Sequence, residues 1–246
     1  MGLRINTNVP ALNSARTLER STAALNRSLG RLSSGLRINQ AADVAAGLAI
    51  AEGFRSQVRG AQTAQRNSQD GISLVQTADG ALSEATNILQ RIRELSLQAA
   101  NGTQSTNNRT SLNTEVQELI AQVEDIALDT SFNGIAVLSA NQSITLQSGA
   151  NVSQTLRVAI AGARSSDLRI SAITVSTAAG AVAAISLVDV ALASVNSLRS
   201  TLGAFQNRLE FTVNTLAIQE ENAAAAESVI RDADIARETI LFTRNQ

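Results

Sequence analysis

The sequence predicts a mainly α protein, a long antiparallel helical coiled-coil rod with a small β-hairpin insert. Three observations carry this. Apolar residues recur in alternating steps of four and three over long stretches towards both ends of the chain. Strict apolar-polar alternation is confined to the stretch between Ile135 and Thr177. Ala, Leu, Val and Ile supply nearly all of the 44% apolar fraction while aromatics make up 2%, and small and medium side chains suit close helix packing.

The first helix starts near Pro10, the only proline, which follows Asn6, Thr7 and Asn8 and tolerates a first turn. From there Ala11, Ala15, Leu18, Thr22, Leu25, Leu29, Leu32 and Leu36 form a heptad seam. Gly30 and Gly35 weaken the helix, and Ser33 to Asp43 reads as a break with Asn39 as a candidate cap. A second helix runs from about Asp43 to Ala100, with Ala64, Ser68, Gly71, Val75, Ala78, Leu82, Ala85, Leu89 and Ile92 on its seam; Asn101-Gly102 ends it. A third runs from about Asn108 to Asp129 on Leu112, Val116, Leu119, Val123 and Ile126, closed by Ser131 to Gly134.

Ile144 and Leu146, then Leu156, Val158 and Ile160, mark two short strands joined through Gly149-Ala150-Asn151. After Ala178 the helical beat returns through Val188, Ala191, Val195, Leu198, Leu202, Phe205, Leu209, Thr212, Leu216, Gln219, Ala223, Ala226 and Ile230, a helix of about 65 Å. The simplest architecture lays this helix antiparallel along the earlier ones, with both chain ends together and the β insert at the far end. Charge agrees: residues 1–69 carry nine Arg against Glu19, Asp43 and Glu52, whereas residues 208–246 carry four Arg against seven acids.

Composition removes whole classes of function. The chain has no Cys, His, Trp or Tyr, and every basic residue is Arg. Thiolate, imidazole and Schiff-base chemistry, disulfides and Cys/His metal sites are therefore excluded, and neither an enzyme nor a cofactor is expected. The first-helix arginines Arg16, Arg20, Arg27, Arg31 and Arg37 lack interleaved aromatics, and a formal charge of −1 gives no attraction to nucleic acid. Glu220, Glu221, Asp232, Asp234 and Glu238 lack the loop chemistry of a calcium site. No stretch reaches the roughly 18 uninterrupted apolar residues of a membrane span. The opening MGLRINTNVPALNS has no apolar signal-peptide core, which predicts either a cytoplasmic protein or export without a cleavable signal.

The motifs RLSSGLRIN, AADVAAGLAIAE, RNSQDGISLVQTADGALSEA and RIRELSLQAANGT, followed by LGAFQNRLEFTVNTL and AAESVIRDADIARE, closely resemble bacterial flagellin. The resemblance covers roughly residues 2–140 and 178–246, in the right order. It implies a homopolymeric filament subunit for swimming motility, exported unfolded through the flagellar type III apparatus with a chaperone and folded under a filament cap. The implied layout is an inner-tube helix over 1–42, outer-tube helices over 43–140, a solvent-facing β insert over 141–177, an outer-tube helix over 178–230 and the start of a second inner-tube segment over 231–246. In that layout Leu18, Leu25, Leu29, Leu32, Leu36, Leu202, Leu209 and Leu216 carry the coiled-coil packing.

The resemblance also implies recognition by the host Toll-like receptor through positions matching Arg91, Leu95 and Glu115, with Glu94 and Gln98 on the same face. The expected logic is a recessed leucine flanked by an arginine and a glutamate; packing between protofilaments is the plainer account of the same residues. Two departures stand out. Flagellins of this type carry a pair of aspartates where this chain has Asp43-Val44. They also continue past the point matching FTRNQ, so impaired self-assembly is expected. The alternative reading is then a secreted, non-polymerising ligand for a receptor or chaperone.

Overall fold

The computed structural model describes residues 8–246; Asn6 and Thr7 of the expected helix start lie outside the described residues. The described elements are α1 (Val9–Ser34), α2 (Ala45–Ala100), α3 (Thr106–Asp129), β1 (Ser131–Phe132), β2 (Ile135–Ala136), β3 (Gln142–Gln147), β4 (Thr155–Ile160), α4 (Ala178–Arg231) and α5 (Ile235–Asn245). The fold is mainly α with two small antiparallel sheets, β1 with β2 and β3 with β4. The chain divides into two compact units. One is Gln62–Ala217; the other joins the described residues up to Ala61 with Ile218–Gln246.

Within Gln62–Ala217, the α2 and α4 seams are buried in strict sevens. On α2 these are Ala64, Gly71, Ala78, Ala85, Ile92 and Ala99, interleaved with Ser68, Val75, Leu82, Leu89 and Ser96. On α4 they are Ala181, Val188, Val195, Leu202, Leu209 and Leu216. The two helices run antiparallel: Asp79 Oδ1 accepts from Arg199 Nε at 2.8 Å, and Asp189 Oδ1 accepts from Arg93 Nε at 2.6 Å. At Gly71 a residue without a side chain faces Leu209 of α4. A Cβ at Gly71 would stand 3.3 Å from Leu209 Cδ1 and would overlap Leu146, so the glycine is where α2, α4 and the β3–β4 hairpin converge. The buried hydroxyls of Ser68 and Ser96 donate to the carbonyls of Ala64 and Ile92, leaving no unpaired donor in the seam.

The ends of these helices follow local chemistry. Ser105 Oγ accepts from the Asn108 N–H to start α3, and Thr177 Oγ1 accepts from the Gly180 N–H to start α4. α3 turns Val116, Ile120, Val123 and Ala127 fully inward, with the expected Leu112, Leu119 and Ile126 half-buried. The segment expected only to close α3 forms a hairpin of its own: Asn133 (φ 50°) and Gly134 (φ 78°) make the two-residue turn joining β1 and β2. Both central residues of that turn need positive φ, which is why Asn-Gly stands there. In the larger hairpin Leu156, Val158 and Ile160 of β4 are buried and Ile144 and Leu146 of β3 half-buried.

In the other unit, Asn8 Oδ1 accepts from the Ala11 N–H to cap α1, and Gly35 ends it in the left-handed region with its N–H on Arg31 O. α5 begins on Asp234, whose side chain accepts from the Arg237 N–H, and packs on α1. Ser21 Oγ donates to Asn245 O at 2.9 Å, and Arg31 lies 3.9 Å from Glu238. Two expectations are corrected here. α2 is not capped by Asn39: the N–H groups of Gln40 and Asn39 both donate to Asp43 Oδ2, closing the turn from the other side, and hold its carboxyl below the usual range. The α1 seam also lies elsewhere. Leu18 is 69% and Leu29 45% exposed, while Ser28 is buried and Leu25, Leu32 and Leu36 are half-buried. The covered face follows Ser21, Leu25, Ser28 and Leu32 because α5 lies along that stripe and reaches only to Ser21; residues 9–20 are exposed throughout.

Candidate interaction surface

The four-three beat of α2 sends Leu89, Ile92, Leu95, Ser96 and Ala99 inward and leaves Arg91, Glu94 and Gln98 on the outer face. α3 returns antiparallel along that face. Its position is set by Arg109, whose Nε donates to Ala99 O at 2.8 Å and whose Nη2 donates to Asn101 O at 3.0 Å. These are carbonyls at the end of α2 that lack intrahelical donors, and a guanidinium fork suits them. With the turn fixed, Glu115 of α3 arrives beside Arg91.

Arg91 then spans two carboxylates. Nη2 and Nε donate to Glu115 Oε1 at 2.8 and 3.2 Å, and Nη1 donates to Glu94 Oε2 at 3.2 Å. Hydrogen bonding to Glu115 and then to Glu94 raises the guanidinium pKa further. All three side chains remain 45–67% exposed, so the pairing orients the groups more than it stabilises the fold. Two carboxylates against one guanidinium leave the patch with an excess negative charge, suited to a partner that brings hydrogen-bond donors or a cation.

Arg91, Glu94, Gln98 and Glu115 are thus brought onto one surface, but Leu95 is not part of it. At 1% exposure it belongs to the core beneath, so the expected recessed anchor is a buried support. Leu97, 49% exposed, is a large apolar side chain of α2 three residues after Glu94. Sequence periodicity marks it only as a position off the seam. Leu202, Leu209 and Leu216 are buried on α4, and Leu18 and Leu29 are solvent-facing on α1, as described above.

A second set of polar side chains, silent in the sequence pattern, ties the segment after β4 to α3. Glu124 accepts from the Ser165 hydroxyl at 2.7 Å, the Ser165 N–H at 2.8 Å and Arg164 Nε at 2.7 Å. The Ser165 hydroxyl, with that N–H and guanidinium, holds the Glu124 carboxyl below the usual carboxylate range against the opposing effect of burial. Asn113 Oδ1 accepts from the Val175 N–H at 2.8 Å, and Gln117 Nε2 donates to Ile173 O at 2.7 Å. Among the described residues no group of three acids is placed to hold a metal ion. The chemistry on offer is recognition through paired charges and apolar side chains.

Known proteins share this pattern across the chain. The sequence model of the bacterial flagellin N-terminal helical region matches residues 5–143, and that of the bacterial flagellin C-terminal helical region matches residues 185–246. A flagellin from Halalkalibacterium halodurans is 44% identical over 243 residues, covering 98% of this chain and 89% of its own length. A flagellin from Bacillus subtilis is 41% identical over 283 residues, covering 99% of this chain and 91% of its own. The crystal structure of Bacillus cereus flagellin aligns with a TM-score of 0.54 at 33% identity, over 66% of this chain and 94% of that one. With both helical regions matched and relatives at this identity over nearly the whole length, the chain belongs to the bacterial flagellin family.

Proposed function

We propose that this chain is a structural subunit that self-assembles into the extracellular flagellar filament and performs no catalysis. Family membership supports the role, and the observation that carries its physical logic is the exposed beginning of α1. Residues 9–20 are exposed throughout, yet they include Val9, Leu12 and Leu18, 51–69% exposed. Isolated helical turns of this length are marginal in water, so this face calls for a cover, which this reading assigns to packing within the filament. α4 adds Val182 and Val190 on its outer side, 58% and 53% exposed. It is long and apolar enough by composition to cross a membrane, but one face of it enters the core through Ala181, Ala184, Val188 and Ala191.

In this reading residues 1–42 and 231–246 belong to an inner tube, 43–140 and 178–230 to an outer tube, and 141–177 to the solvent-facing insert. Export through the flagellar type III apparatus with a chaperone, followed by folding under a filament cap, fits a chain with no cysteine to cross-link in transit. Recognition by a host Toll-like receptor is assigned to Arg91, Glu94, Gln98 and Glu115, with Leu95 holding α2 in place beneath them.

The test of assembly is sedimentation and electron microscopy of Leu18→Glu against the unsubstituted chain. Unsubstituted chains should pellet as filaments and the variant should stay soluble with an unchanged melting curve. Equal pelleting of both would remove the role given to the exposed α1 face. For the receptor, Glu94→Lys together with Glu115→Lys should abolish binding to the purified ectodomain while filaments still form; unchanged binding would exclude this patch.

A further inference from the structure

Only Asp232, Ala233 and Asp234 separate α4 from α5, and none is a proline or a glycine. Backbone sterics therefore do not compel the helix to stop at Arg231. Its last regular bond is from the Asp232 N–H to Ser228 O at 2.9 Å. To continue, the helix needs the carbonyls of Val229, Ile230 and Arg231 as acceptors for the N–H groups of residues 233, 234 and 235.

All three carbonyls are occupied by one residue from the other end of the chain. Arg37 Nη2 donates to Val229 O at 3.2 Å and to Ile230 O at 2.5 Å, and the Arg37 N–H donates to Arg231 O at 2.6 Å. The Ala233 N–H, which would have gone to Val229, donates instead to Gly35 O at 2.9 Å, so that Leu36 and Asp232 pair as a single antiparallel rung. The broken form is also imperfectly satisfied. Arg231 Nη1 reaches Glu52 at 3.2 Å and Glu227 at 3.5 Å, while its buried Nε has no hydrogen-bond partner. A buried donor left unpaired disfavours the arrangement that holds it.

We propose that Arg37 is a latch that keeps α4 and α5 as two helices, and that releasing it lets them join into one continuous helix as α5 leaves α1. Asp234, which caps α5 through the Arg237 N–H, and the α1–α5 contact oppose the joined form; the Val229 and Ile230 carbonyls that the side chain vacates favour it, while the backbone N–H of residue 37 remains on Arg231 O until the rung itself opens. Arg37 is a positioning residue: it acts by denying acceptors to the helix.

The experiment measures Cα chemical shifts and amide exchange at residues 232–235 in the full chain, kept monomeric, for the unsubstituted protein, Arg37→Ala and Arg37→Lys. In Arg37→Ala the shifts of Asp232, Ala233 and Asp234 should become helical, and the amides of residues 233–235 should gain protection of about tenfold or more. Leu202 and Leu209 should keep their protection. Arg37→Lys, retaining a charged donor group but no planar fork, should lie between the two. Unchanged shifts in Arg37→Ala would overturn the proposal. So would random-coil values across residues 232–245, since the arginine would then merely hold α5 in place.

Discussion

The two units of this chain use the same seven-residue beat to different ends. In Gln62–Ala217 every seventh residue from Ala64 on α2 and from Ala181 on α4 is buried. In the unit containing α1 and α5 the beat is just as regular in the sequence, yet Leu18 and Leu29 face solvent and the buried positions include Ser28 and Glu238. A heptad pattern thus specifies that a helix face will be covered, not that the same chain covers it. The first unit satisfies its pattern internally. The second leaves part of it exposed.

The sharpest way to break this contrast is to place a charge in the satisfied seam. Leu209→Arg should cost at least about 3–5 kcal/mol, because the ion would be unpaired among apolar neighbours; circular dichroism should show lost helix content and a large fall in melting temperature. Leu82→Ala, at a fully buried position of α2, should cost about 2–5 kcal/mol by denaturant titration through lost contacts and a cavity.

A smaller effect isolates the polar tie within the same unit. Glu124→Gln should cost about 1–2 kcal/mol near neutral pH, the scale of hydrogen bonds to a charged group. The folded-state pKa of Glu124 is depressed, so its contribution is fully present above the ordinary glutamate value of about 4.3 and is lost as pH falls through the lower folded value. Unfolding titrations should therefore show the two proteins diverging at neutral pH and converging under acid. Divergence that persists at low pH would assign the effect to packing. Smallest of all, Leu18→Ala should change monomer stability by no more than about 0.5 kcal/mol, while weakening filament formation in a sedimentation assay.

The helices were legible because periodicity, caps and breaks agree: Asn8 with Pro10, Gly35 and Asn101-Gly102 each stand where a boundary falls, while α3 starts at Thr106 on the Ser105 cap rather than at about Asn108. The larger hairpin was legible from alternation, and the smaller one was hidden because two residues per strand give no period; only Asn-Gly announced it. The α1 seam was misplaced because its inner stripe is set by where α5 happens to lie, and a helix with leucines on more than one side does not say which side is met. Of the candidate patch, Arg91 and Glu115 came from the resemblance and Glu94 and Gln98 from helical spacing, whereas the full burial of Leu95 was not legible. Arg37, Arg109 and Glu124 work through contacts with residues distant in sequence and leave no local trace.

The strict sevens of α2 and α4 fix a handedness. Seven residues in two turns fall short of the natural 3.6 per turn, so a pair of helices obeying that repeat winds left-handed about a common axis. Stretching such a twisted pair also unwinds it. Axial load applied to Gln62–Ala217 is thereby partly converted into torque.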